Sequence, residues 1–111
     1  MTTFYERLQQ ETETERQYLL SSPLIVAAMK DGITHAEYVA FLEQAYHHVK
    51  HTTPLLMAVG SRIPEKNEWL REKIAHYIEE EVGHQEWILN DIRACGGDAE
   101  VVRHATPSLP V

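Results

Sequence analysis

This chain of 111 residues has little that would cross-link it, loosen it or make it basic. Its one cysteine, Cys95, cannot form an internal disulfide, which excludes a cross-linked secreted scaffold and fits a reducing, cytoplasmic setting. Five glycines and five prolines are too few for a low-complexity linker or a disordered chain. Ten Lys and Arg against seventeen Asp and Glu give a formal charge of −7, which argues against a nucleic-acid partner because phosphate binding uses clustered cations. No apolar run approaches the roughly 20 residues of a membrane span. The start, MTTFYERLQQ, lacks the basic-then-apolar layout of a signal peptide. Strand alternation, internal repeats, phosphate loops and nucleophile motifs are also missing. What remains is one all-α domain.

The helices are marked by their punctuation. Thr3 with Glu6 three positions on has the spacing of a capping box and opens a helix over roughly 4–20. Ser21-Ser22-Pro23 stops it and starts LIVAAMK, which Gly32 ends. Thr34, with Glu37 at the fourth place and Ile33 set to staple against Tyr38, opens a long helix from His35 to about Val59. Pro54 lies inside that helix and predicts a kink or break near 50–53. Gly60 and Pro64 bound a loop, and a third long helix runs from about Glu65 to Ala94 before Gly96-Gly97 ends it. DAEVVRHA makes a last short turn, and TPSLPV has no partner pattern of its own.

The third long helix contains YIEEEVGHQEW. At about 100° per residue, Leu70, Ile74, Tyr77, Ile88 and Ile92 form one apolar stripe, with Glu81 at its centre and His84 on its edge. Glu79 falls opposite, facing water, and Glu80 at the border with Trp69 and Trp87. A carboxylate in a buried stripe is costly unless it is paired, protonated or bound to a cation. Glu-x-x-His on an inward face is also the unit from which metal sites in helical bundles are built. Glu81 and His84 are therefore the leading metal ligands, weighed against a buried ion pair for a lone inward Glu.

The preceding helix carries AYHHVKHTTPLL. Its apolar stripe, Tyr38, Leu42, Ala45, Val49 and Leu56, places His48 on the edge, His51 further round and His47 directly opposite. His48 is the first choice as a third ligand, followed by His51 and His47, against clustered surface histidines of no function. Glu11 and Glu15 follow Leu8 at helical spacing and read as a solvated face, with a further carboxylate ligand as the lesser alternative; Glu43 and Gln44 read as solvated or capping neighbours, and His35, His76 and His104 as surface residues. Mixed carboxylate and imidazole donors suit iron, manganese or zinc.

The order of these features resembles the heme-oxygenase-like superfamily, which holds the TenA and PqqC proteins and the iron-containing heme-oxygenase-like diiron oxidases. The residues that carry the likeness are PLIVAAMKDGITHAEYVAFLEQAYHHVKHTTPLL and then YIEEEVGHQEWILNDIRACGGD. The likeness covers most of the chain but about half of the family's domain. The later helices, which bring another Glu and an Asp-x-x-x-His pair, have no counterpart here.

The resemblance implies a helical bundle of three main helices plus short ones, in which Glu81 and His84 match the Glu and His ligand helix. One of His47, His48 and His51 matches the ligand on the helix before it. It further implies non-heme iron, with two ions in the complete oxidases, O₂ and a small organic substrate as reactants, and a homodimer as one way to supply a second Glu81–His84 pair. Two other expectations stand beside it: a metal-free TenA- or PqqC-like enzyme with Glu81 as acid or base, and a non-enzymatic helical interaction module or fragment.

Overall fold

A computed structural model describes residues 1–108 and is helical throughout, with no strand among the described residues. It divides into two compact units, residues 1–34 and residues 35–111.

The first unit holds α1 (Phe4–Glu11), α2 (Glu13–Leu20) and α3 (Pro23–Asp31). The capping box is present: Glu6 N–H donates to Thr3 Oγ1 at 3.2 Å, and Thr3 N–H donates to Glu6 Oε2 at 2.7 Å. The expected single helix over 4–20 is interrupted at Thr12, whose hydroxyl donates to the Leu8 carbonyl at 2.7 Å. A hydroxyl that bonds back to the carbonyl four residues earlier competes with the helix ladder. Pro23 opens α3, where its missing N–H costs nothing, and Gly32 closes it at φ 77°.

The second unit is built around a hairpin of two long segments, each cut in half. The first comprises α4 (His35–Val49) and α5 (Thr52–Arg62), and the expected break falls at Lys50-His51, two residues before the first turn of α5 takes up Pro54. A 3₁₀ turn at Glu65–Asn67 leads into α6 (Glu68–Glu81), followed by α7 (His84–Ala94) and α8 (Ala99–His104). α4 packs on α7 and α5 on α6, so the break in one segment lies opposite the break in the other.

The expected continuous helix over 65–94 is thus corrected to two helices joined at Val82-Gly83. Gly60, expected in a loop, lies inside α5. A Cβ there would sit 3.4 Å from Ile74 Cγ2, an ordinary contact, and Arg71 Nε donates to the Gly60 carbonyl at 3.0 Å. The other end of the Arg71 guanidinium donates to the Ile63 carbonyl. Two carbonyls at the C-terminal end of α5, which has no intrahelical partner for its last groups, are thereby satisfied from α6.

The core forms where α4, α7 and α8 meet: Leu42, Tyr46, Leu89, Ile92, Ala99 and Val102, with Tyr38 and Ile88 against it. Leu89 lies outside the stripe drawn through an unbroken helix, yet it is fully buried, whereas Tyr77 of that stripe is exposed. The break resets the phase, so α6 and α7 each turn their own side inward. Asp98 caps α8 by accepting from Glu100 N–H and Val101 N–H at 3.1 and 3.2 Å. Arg103 then holds α8 to α7 through a two-pronged pair with Glu86, at 2.7 and 2.9 Å. Ser108 donates from its N–H and its hydroxyl to Gln44 Oε1, so the segment after α8 does have a partner. Residues 109–111 of TPSLPV lie outside the described residues.

Two outcomes test this packing. A Cβ at Gly97 would lie 2.7 Å from Ile92 Cγ2 and 3.2 Å from the Ile92 carbonyl. Gly97→Ala therefore overpacks the core, and urea unfolding should show a loss of about 1–3 kcal/mol. The Arg103 guanidinium holds the Glu86 carboxyl below the ordinary carboxylate range. A depressed folded value gives stability that is present above the unfolded value and lost as pH falls through the folded one. Arg103→Ala should shift the ¹³C-detected Glu86 titration upward and remove its share of the acid limb of the stability curve.

Candidate metal centre

Of the three adjacent glutamates, Glu79 faces water and Glu81 is partly covered as their helical phase predicts, while Glu80, expected at the border, is exposed. Glu79 and Glu80 are exposed and both face His76, with Glu80 Oε1 3.3 Å from His76 Nε2 and Glu79 Oε2 3.9 Å from His76 Nδ1. Glu81 turns the other way. Its side chain keeps 20% of its surface accessible, that of His84 keeps 30%, and Glu81 Oε2 lies 3.0 Å from His84 Nδ1.

This contact is not made along one helical turn. Glu81 is the last residue of α6 and His84 the first of α7. Between them Val82 has φ −58° and ψ 122°, and Gly83 has φ 92° and ψ −5°. Those values describe a type II β-turn, with Glu81 and His84 as its first and fourth residues. Such a turn brings its ends within about 7 Å and requires positive φ at the third place. The Trp87 ring also lies against His84, 4.3 Å away centroid to centroid and tilted by 40°. The imidazole thus contacts both a carboxylate and an indole.

Carboxylate oxygens and imidazole nitrogens bind a metal at about 2.0–2.2 Å, so two of them at right angles around one ion are about 3 Å apart. The observed 3.0 Å fits that spacing. Both atom types suit iron, manganese or zinc. The helix ends do not decide the matter, because the negative C-terminal end of α6 at Glu81 meets the positive N-terminal end of α7 at His84.

The histidine cluster is arranged differently from the expectation. His47, expected to face outward, is buried, with 2% of its surface accessible, and its Nδ1 has no hydrogen-bond partner. His48, expected on the inward edge, is exposed, and so is His51 at the break between α4 and α5. A single stripe fails here because α4 meets both α7 and α8, so a wider arc of it is covered. Among the described residues no three His, Cys, Asp or Glu side chains converge as a metal site would require. The structure joins Glu81 to His84 and does not bring His47, His48 or His51 to them. What residue counting missed is Gly83. Its signal was a glycine in mid-helix, unfavourable by about 1 kcal/mol against alanine and a mark of interruption.

Burial pushes the His47 imidazole below its ordinary value of 6.5, with Lys50 and His51 acting in the same direction and Glu43 opposing. Above both values neither state of the chain is charged at His47, and its ionisation makes no contribution to the pH dependence of stability. As pH falls through the unfolded value, the unfolded chain takes up a proton that the folded chain does not, so stability declines. Urea midpoints measured from pH 8 down to 5.5 should show this decline in the wild type and less of it in His47→Gln.

No helix of the described residues is long and apolar enough to cross a membrane. No curated protein and no solved structure matches the chain. A model of a protein family described as iron-containing redox enzyme does match, over residues 39–110, a span that takes in the histidine cluster, both members of the Glu81–His84 pair and the core of the second unit. On that match the chain belongs to the family of iron-containing redox enzymes, with the heme-oxygenase-like helical fold that its sequence resembles.

Proposed function

We propose that the chain is an iron-dependent oxidase or oxygenase acting on a small organic substrate with O₂, and that Glu81 and His84 are two of the metal's ligands. The observation that carries the reading is the 3.0 Å approach of Glu81 Oε2 to His84 Nδ1 across a two-residue turn, inside the span matched to the family. Iron bound there supplies one-electron chemistry toward O₂ when some of its coordination positions stay open.

The chain's own residues have definable tasks. Glu81 contributes a negative charge in a partly enclosed position, where it is screened less than on the open surface. His84 contributes a ring nitrogen, and Trp87 limits rotation of that ring by covering one side. The proton in the Glu81–His84 hydrogen bond must leave when a cation takes its place, so binding releases a proton and weakens as pH falls. His48 is kept as the first candidate for a third donor, followed by His51 and His47, and reaching the pair requires movement at the Lys50-His51 break. A second copy of the chain is the other source of donors, through its own Glu81–His84 pair.

A second reading has one observation in its favour. Glu81 and His84 already form a hydrogen-bonded carboxylate–imidazole dyad, and such a dyad can move a proton without a metal, as a TenA- or PqqC-like acid–base enzyme would need.

Metal analysis separates the two. Protein purified without added metal should carry iron, and Glu81→Ala and His84→Ala should each lose it while their far-UV circular dichroism stays at the wild-type level. Absence of bound iron, manganese and zinc after anaerobic reconstitution of the wild type would sink the iron reading and leave the acid–base one.

A further inference from the structure

The backbone between the two donors has a requirement of its own. Gly83 has φ 92°, a conformation that side-chain-bearing residues rarely adopt. A Cβ added there would meet nothing within 4 Å. Glycine is therefore not needed for space. It is needed for the dihedral angle, which the third position of a type II turn requires. Val82 before it is exposed, and its own N–H donates to the Ile78 carbonyl at 3.0 Å, so α6 is complete up to the turn. The joint has only two residues, and one dihedral angle in it decides where His84 sits relative to Glu81.

We infer that Gly83 is the positioning residue of the site: its left-handed φ, rather than any need for space at its Cα, holds His84 Nδ1 against the Glu81 carboxylate, while its carbonyl accepts from Glu86 N–H and Trp87 N–H as any residue's would. This rests on Glu81 and His84 being the donor pair proposed above, but the hydrogen bond it explains exists without metal. A residue that disfavours positive φ opens the turn and separates the pair. Asn tolerates the left-handed region far better than Ala, so it restores the turn although it is the larger side chain. A purely steric role for glycine would rank the two variants the other way.

Two readouts on the full chain, for wild type, Gly83→Ala and Gly83→Asn, test this. The first uses no metal. With ¹⁵N-labelled histidine at a fixed pH where the ring is neutral, wild-type His84 should carry its proton on Nδ1, facing Glu81. Gly83→Ala should lose that preference and Gly83→Asn regain it. The second is Co(II) titration followed by the visible spectrum. Gly83→Ala should bind about tenfold more weakly, the size expected for forcing one Cβ-bearing residue into this region, and Gly83→Asn within about threefold of wild type. A Gly83→Ala variant that keeps both the Nδ1 proton and wild-type Co(II) affinity overturns the inference. So does a loss that Asn fails to restore in a protein with wild-type circular dichroism. If wild type shows the Nδ1 proton, Gly83→Ala loses it, and no variant binds Co(II) or Fe(II), the positioning role is supported and the iron reading fails.

Discussion

The second unit depends on the fact that a straight helix can keep only one face toward one partner. α6 lies against α5, and α7 against α4, two separate helices because the first long segment is itself broken at Lys50-His51. An unbroken helix over 65–94 would carry a single stripe along both halves of that partner and suit at most one of them. The turn at Val82-Gly83 removes the conflict. It gives α7 a fresh phase, which sends Leu89 and Ile92 fully into the core and leaves Tyr77 and Trp87 outside. The same turn sets Glu81 beside His84, so packing and the candidate chemistry share one local cause.

Much of this was legible in the residues. The Thr3–Glu6 box, the start of α3 at Pro23, the end at Gly32 and the break ahead of Pro54 each follow from a local hydrogen-bonding or steric rule, and each is present. The division between Glu79 and Glu81 was also legible, because it needs only the 3.6-residue period within one helix. Legibility failed where an outcome depends on several elements at once. Gly60 reads as a loop residue until Arg71 of α6 is seen to take its carbonyl. His47 reads as outward until α8 is known to join α7 beside α4. Thr12 reads as one more polar helix residue until its hydroxyl is seen to take the Leu8 carbonyl.

The candidate site shows the same limit at closer range. Counting three residues from Glu81 to His84 picked out two side chains that do meet, although the geometry assumed for them, one turn of a continuous helix, is not the one present. Residues three apart are near one another both on a helix and across a β-turn. The spacing therefore survives an error in the backbone. What it does not survive is a question about a third donor, because that donor must come from another element. The edge of a stripe is then too coarse a guide, as His47 and His48 demonstrate by exchanging their expected places.

Arg71 bears on how this unit opens. Its guanidinium reaches back from α6 to the carbonyls of Gly60 and Ile63, so the C-terminal end of α5 is finished by a side chain of the next helix rather than by its own sequence. Neither helix can fray at that end alone without stranding hydrogen-bonding groups of the other. Opening either helix at that end therefore breaks hydrogen bonds that the other relies on, which couples their local unfolding. The far end of the pair is where both segments break, at Lys50-His51 and at Val82-Gly83, so the cap lies away from the joint that carries the candidate donors.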